Sequence, residues 1–235
     1  MLRKALSIVV STLFFYALPS QAQDHIEFGA GAFGFANGNF MDKPSGADFD
    51  ELGPYPGFAG AGGGGGLAFS ALWRGIVGLE LQFMHSAESG EGTVDVSGTA
   101  IDVKIEQTSL HIPLLLKLQA PTESVRPFLV VGPDFVSPSD TEMSSRYPIF
   151  SASSESYTAL AFGFGLDFRL GIEGHDLRIP FMLRGNYNSG AGSKTSERGE
   201  WLSNGTQYTG ITYYGDWQWQ AFATLGLSYY FHSAL

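Results

Sequence analysis

The stretch from Trp217 to Phe231 reads W-Q-W-Q-A-F-A-T-L-G-L-S-Y-Y-F, and it alternates. Trp217, Trp219, Ala221, Ala223, Leu225, Leu227, Tyr229 and Phe231 share one parity; Gln218, Gln220, Phe222, Thr224, Gly226, Ser228 and Tyr230 share the other. A period of two puts successive side chains on opposite faces of a β-strand, here one apolar face and one mostly polar or small. Trp217, Trp219, Tyr229 and Phe231 close the two ends of the apolar face. A strand of a soluble sandwich has no need of rings at both ends. A strand crossing a bilayer does, because amphipathic rings settle at the two membrane–water interfaces. The stretch therefore predicts the closing strand of a transmembrane β-barrel, with those four aromatics at the interfaces.

Composition agrees. Charged residues make up 15% of the 235, below the roughly 25% of soluble domains, and the mean hydropathy is only +0.03. Strands with one greasy and one polar face average in this way; a helical membrane protein would be greasier. Residues 1–22 read as a signal peptide: Arg3 and Lys4 form the positive start, Leu6 to Leu18 the apolar run, and Ser20-Gln21-Ala22 the cleavage site. The apolar run is short for a helix of roughly 20 residues spanning a membrane. Its removal takes Lys+Arg from 13 to 11 against 23 acids, a net charge of −12. Such a balance argues against nucleic acid as a partner. With no Cys, an exported chain has no disulfide framework, and its sheet must hold it together. The domain division expected is 1–22 signal peptide and 23–235 one barrel domain.

Along the chain, alternating segments are expected at 25–36, 57–72, 75–85, 99–119, 126–136, 157–170 and 177–187, before the closing strand. Val77, Leu79, Leu81 and Phe83 should face outward, opposite Gly78, Glu80 and Gln82; Leu160, Phe162, Phe164, Leu166 and Phe168 should do so opposite Asp167 and Arg169. In 99–119 the apolar parity changes midway, from Ile101, Val103 and Ile105 to Leu110, Ile112, Leu114, Leu116 and Leu118. A β-bulge near Glu106 to Ser109 is the expected cause, with the upper half standing above the membrane. Pro113 and Pro180 have no N–H to give and should weaken the ladder locally. The connections alternate long and short, as in outer-membrane barrels, which have short periplasmic turns and longer external loops. The expected fold is all-β: one antiparallel up-and-down transmembrane barrel of about eight strands.

Leu110-His111-Ile112-Pro113-Leu114-Leu115-Leu116-Lys117, a short turn, then Arg126-Pro127-Phe128-Leu129 and Gly132-Pro133 resemble the PorT-like "outer membrane beta-barrel" domain family, one of the small eight-stranded barrels of Gram-negative outer membranes. The resemblance implies residence in that membrane, contact with its lipid, and delivery to the barrel-assembly machinery through the C-terminal strand. The family pattern favours a terminal aromatic, whereas here His232-Ser233-Ala234-Leu235 follow Phe231.

The motifs that carry chemistry elsewhere find no such context here. Gly29-Ala30-Gly31-Ala32-Phe33-Gly34 fits G-x-G-x-x-G but lies inside a strand rather than opening a helix. Asp48-Phe49-Asp50-Glu51 lacks the spacing of an EF-hand loop and reads as a solvated acidic loop. Asn204-Gly205-Thr206 matches a glycosylation sequon without meaning in a bacterial envelope. His85, Ser86 and Glu88 raise the alternative of a lipid-modifying enzyme, but neighbours on a strand point to opposite faces. No catalytic, cofactor or metal residues are assigned.

The inward charges form the expected functional set: Glu27, Glu80, His111, Lys117, Asp167, Arg169, Arg178 and Arg184. A lone charge in a narrow lumen is costly, so these should pair. An eight-stranded interior is just wide enough for side chains to fill. The expectation is a monomeric barrel with a structural or surface-interaction role and an extracellular partner. A narrow porin is the alternative, in which Arg178 or Arg184 would set selectivity. The span Val94 to Ile105 is expected as an edge open to strand addition.

Overall fold

The computed structural model describes residues 25–42, 57–96, 99–146, 150–191, 196–203 and 206–234. The expected signal peptide, the acidic stretch Asp48–Glu51 and Asn204-Gly205 of the sequon lie outside them. Eleven strands are described: β1 (His25–Met41), β2 (Phe58–Trp73), β3 (Val77–Val96), β4 (Thr99–Gln119), β5 (Val125–Ser145), β6 (Phe150–Ser153), β7 (Tyr157–Ile172), β8 (His175–Tyr187), β9 (Ser196–Ser203), β10 (Thr206–Tyr214) and β11 (Trp219–Ala234).

Eight of them close a barrel in the order β1-β11-β8-β7-β5-β4-β3-β2. Every neighbouring pair is antiparallel. The up-and-down barrel expected from the alternation is thus the fold. Its seam joins the first strand to the last, from His25↔Ala234 to Phe40↔Trp219. The residues after Phe231 are therefore not a loose tail: His232 lies opposite Glu27 and Ser233 opposite Ile26. The short turns gather at one end. One of them takes Arg74 and Gly75 through φ of 53° and 64°, the pair of positive values that a type I′ turn requires.

Inside out, the barrel shows apolar surface to its surroundings. Leu225, Phe164 and Phe231 are each more than half exposed, while Glu80, Lys117, Asp167 and Arg178 are buried. Rings mark both ends of the apolar band: Trp219 against Tyr187, centroids 4.5 Å apart, at one end, and Trp73 with Tyr229 and Phe231 at the other. The glycine run of β2 serves the lumen. A Cβ on Gly64 or Gly66 would first meet the β3 backbone, at His85 O or Phe83 O, and then the ring of Phe35 or Phe33 at 2.8 or 3.0 Å, so their absence lets β2 lie close to β3 and leaves room for two inward phenyl rings.

Prolines coincide with lapses in the ladders. The β3–β4 register skips between Leu81↔Leu114 and Met84↔His111, beside Pro113. The β4–β5 register skips between Pro113↔Asp134 and Leu116↔Val131, beside Pro133. The β8–β11 register skips between Leu225↔Phe181 and Ser228↔Arg178, beside Pro180. A proline has no N–H for the neighbouring strand.

Several expected loops are strands. The segment 86–98 continues β3 to Val96, 137–145 continues β5, and the long connections 146–156 and 188–216 contribute β6, β9 and β10. These last three form a separate sheet in the order β6-β10-β9, with β10 parallel to β6. Strands β3, β4 and β5 are 20 or 21 residues long, about twice the 9–11 that cross a bilayer. Their upper halves stand clear of the apolar band and enclose a second core of Met41, Phe58, Val94, Ile101, Val103, Ile105, Phe150, Tyr213 and Trp217. Tyr213 lies between Phe150, stacked at 6.0 Å, and Phe58, edge-on at 5.8 Å; burial pushes its phenol above the usual tyrosine range. Burying each such aliphatic or aromatic side chain contributes roughly 1.5–3 kcal/mol.

That core corrects one expectation. The expected bulge in β4 is not there. The odd residues Ile101, Val103, Ile105, Gln107, Ser109 and His111 all face inward, so β4 keeps one face throughout. The apolar parity changes because the surroundings change: lipid outside the lower half, a protein core inside the upper half. The bulge lies opposite, in β5, where Gln107 pairs with Thr141 and Thr108 with Ser139. The extra residue is Asp140, at φ 30°. Val94 to Ile105 pairs within itself as the β3–β4 hairpin to Val96↔Thr99, while the described pairing of β2 with β3 stops at Ala59↔Glu91 and that of β5 with β4 at Val103↔Ser145.

Candidate functional site

The lumen is filled in layers. At the short-turn mouth, Arg178 on β8 is clamped by two carboxylates. Its Nη2 donates to Glu27 Oε2 at 2.8 Å and to Asp176 Oδ2 at 2.6 Å, and its Nε to Asp176 Oδ1 at 3.0 Å. Arg126 reaches Glu27 from β5 at 3.1 Å. The guanidinium of Arg178 stacks 3.7 Å over the ring of Tyr230. Next comes Lys117 on β4, with Nζ 3.1 Å from Glu80 and 3.2 Å from Asp167 and 4.1 Å from the Phe128 ring centroid. Gln119 donates to Asp167 at 2.7 Å and Gln82 to Glu80 at 2.5 Å. Above them, Phe128 and Met182 belong to one apolar cluster and Phe35, Met84 and Phe222 to another. Arg184 lies 4.6 Å over Phe222 and donates to Gln82 at 2.9 Å.

The uppermost polar layer centres on Glu88, 4% exposed. Its carboxylate accepts from Trp217 Nε1 at 2.8 Å, Gln220 at 2.8 Å and Ser86 at 2.9 Å, and lies 3.2 Å from His111 Nε2. The other ring nitrogen of His111 is 3.0 Å from Asp134 Oδ2, which also accepts from Asn186 at 2.6 Å. With a carboxylate on each nitrogen, the ring satisfies both only by donating from both. The cap core closes the barrel above this layer. The enclosed space at the Lys117 level is about 30 Å³, lined by Glu80, Gln82, Lys117, Phe128 and Tyr230 among others, room for a water or two and none for a solute.

The structure brings together seven of the eight residues read as a lumen network: Glu27, Glu80, His111, Lys117, Asp167, Arg178 and Arg184. Arg169 reaches them only from the rim. Its side chain is 40% exposed at the mouth, with Nε 3.1 Å from Asp176, because β7 is close to its end there. Trp217 is also corrected. It is 1% exposed and turned into the barrel top, since β11 begins only at Trp219 and the strand parity does not reach it. Trp219, Tyr229 and Phe231 keep the outward parity. His85 faces outward, while Ser86 faces inward and is spent on Glu88, so the two do not meet.

Glu88, Asp134, Arg126 and Asp176 are members of the network that the sequence reading did not include. Glu88 and Ser86 share the parity of Glu80 and Gln82 on β3; continuing the alternation past His85 would have found both. Asp134 shares the inward parity of Phe128 and Val130 on β5.

Three comparisons with known proteins bear on this architecture. The model of the family described as "Outer membrane protein beta-barrel domain" matches residues 7–231. No curated protein matches. Among solved structures, the chain is similar to the outer membrane protein OprG of Pseudomonas aeruginosa, at 16% identity and a TM-score of 0.46 over 91% of this chain and 98% of that one. It is also similar to the N-terminal β-barrel domain of OprF from the same organism, at 15% and 0.36 over 90% and 100%. A third is Ail, the attachment invasion locus protein of Yersinia pestis, at 13% and 0.32 over 89% and 99%. At these identities and scores no role is carried over from them.

Proposed function

Because the chain belongs to the outer membrane protein beta-barrel domain family, we propose that it is a non-conducting barrel of the Gram-negative outer membrane whose task lies at its extracellular end. One observation carries this reading: the lumen is closed by paired charges and apolar layers, while β3, β4 and β5 continue above the lipid band to build a second hydrophobic core. A channel needs the first feature reversed. A barrel that served only to fill the membrane would have no use for the second. The raised strands and the β6-β10-β9 sheet make a rigid platform against which an extracellular partner docks. On the same reading, β11 is the segment that the barrel-assembly machinery receives.

The test has two arms. Reconstituted in planar bilayers, the full chain gives no steady conductance; a persistent open level would overturn the proposal. Excising residues 90–105 and joining the cut ends with Asn-Gly leaves a heat-modifiable barrel in the outer membrane but abolishes surface binding or weakens envelope integrity. Unchanged binding and integrity would also overturn it.

A further inference from the structure

Among the described residues, one grouping of three metal-ligating side chains stands out, His25, Glu27 and His232, and it lies where the barrel closes on itself. His25 and Glu27 are two apart on β1 and so share a face. His232 on β11 lies opposite Glu27 in the register. His25 Nε2 is 3.6 Å and His232 Nδ1 3.8 Å from the same oxygen, Glu27 Oε1. Ligand atoms around a tetrahedral zinc are about 3.3–3.4 Å apart, given bonds of about 2.0–2.1 Å. The two distances to Glu27 thus stand a few tenths of an ångström from that spacing, and all three donor atoms lie within 4.8 Å of one another.

The second observation concerns the tautomer. His232 Nε2 lies 2.8 Å from Asp176 Oδ2. A carboxylate there accepts a hydrogen bond from Nε2–H and leaves the lone pair on Nδ1, the nitrogen facing Glu27. This carboxylate–histidine pairing is the usual support behind a metal-bound imidazole. The backbone of His25 is held by the N–H of Arg74 at 2.9 Å. Both rings are partly exposed, 29% and 42% by side chain, so an ion reaches them from the periplasmic water.

We propose that His25, Glu27 and His232 form a binding site for a divalent transition-metal ion of the zinc class, which staples the first strand to the last at the periplasmic rim. Imidazole with carboxylate suits Zn²⁺ and Cu²⁺ and does not suit Mg²⁺ or Ca²⁺. Arg126 and Arg178 hold Glu27 from the lumen side, mainly through Oε2, and oppose a further positive charge. The expected affinity is therefore micromolar, not the far tighter binding of a closed structural zinc site.

Titration of the mature barrel in detergent micelles with Zn²⁺ alone tests this by calorimetry. Wild type takes up one ion. His25→Ala and His232→Ala each weaken binding at least tenfold, and His175→Ala, an exposed histidine on the same rim, leaves it unchanged. Zn²⁺ raises the temperature of the heat-induced mobility shift in wild type and not in His232→Ala. The spectrum of Cu²⁺ on wild type, which needs no variant to fold, shows two equatorial nitrogens. Absence of a site in wild type, retention of full affinity in either single variant, or a copper spectrum with fewer than two nitrogens overturns the proposal.

Discussion

Strand β4 runs through two environments without changing face. In its lower half, Leu110, Leu114 and Leu116 meet lipid while His111 and Lys117 meet the lumen. In its upper half, Asp102 and Glu106 meet water while Ile101, Val103 and Ile105 meet a protein core. The pleat is identical; only the solvent has been exchanged. The comparison shows that period-two alternation fixes a strand and its two faces, but not which face is inside. That second assignment needs to know where the bilayer ends.

The difference can be broken at its most costly point, the charged lumen. Removing Lys117 leaves Glu80 and Asp167 facing each other without a cation. Breaking a buried ion pair from one side costs about 3–5 kcal/mol. Lys117→Met should lower the urea midpoint of the refolded barrel accordingly, and restoring the balance with Glu80→Gln and Asp167→Asn should recover much of the loss. A change below about 1 kcal/mol in Lys117→Met would mean that the lumen is wet enough to screen those charges.

The same comparison predicts opposite sensitivities on one strand. Ile105 is fully buried in the cap, and Ile105→Ala should cost about 2–5 kcal/mol through lost burial and a cavity. Because the cap stands above the membrane, the loss should appear as faster proteolysis there while the barrel still shows its heat-modified mobility. Leu116, 41% exposed toward lipid, loses only contacts that lipid tails replace; Leu116→Ala should cost under about 1 kcal/mol. Equal losses at the two positions would place both in the same environment.

How much was legible in the sequence follows the same line. The eight staves, their lipid faces and the antiparallel closure were readable, because alternation and aromatic girdles are local signals. Seven of the eight lumen charges were readable by parity alone. What escaped was long-range. Ser86 to Gly98 is polar and Gly-rich and reads as a loop, yet as far as Val96 it is a strand, because β4 pairs with it and the cap core buries Val94. With that strand missed, Glu88 was not assigned to the lumen. Trp217 looked like an interface ring, because nothing local says that its indole N–H has a carboxylate to meet above the membrane. His232 looked like surplus tail, because its partners Glu27 and Asp176 come from the other end of the chain and from β8.

The bulge at Asp140 is where the two environments meet on β5, and it gives the smallest but most specific prediction. Up to Pro138 the even residues of β5 face inward; from Thr141 the odd ones do, which turns Met143 toward the cap. The one extra residue does this, and it adopts φ 30° to do so. A left-handed conformation costs a non-glycine residue on the order of 1 kcal/mol or more, although Asp bears it better than most. Asp140→Gly relieves that strain and also adds backbone freedom to the unfolded chain, so a net gain of only up to about 1 kcal/mol is expected. Deleting Asp140 should remove the bulge without turning any side chain over. Without the extra residue, Ser139 is followed directly by Thr141, the alternation runs on unbroken, and Thr141 and Met143 still face inward opposite Gln107 and Ile105. The deletion should therefore leave the cap as resistant to proteolysis as wild type; a cap opened by it would show that β5 needs the extra residue to match β4 as both leave the membrane.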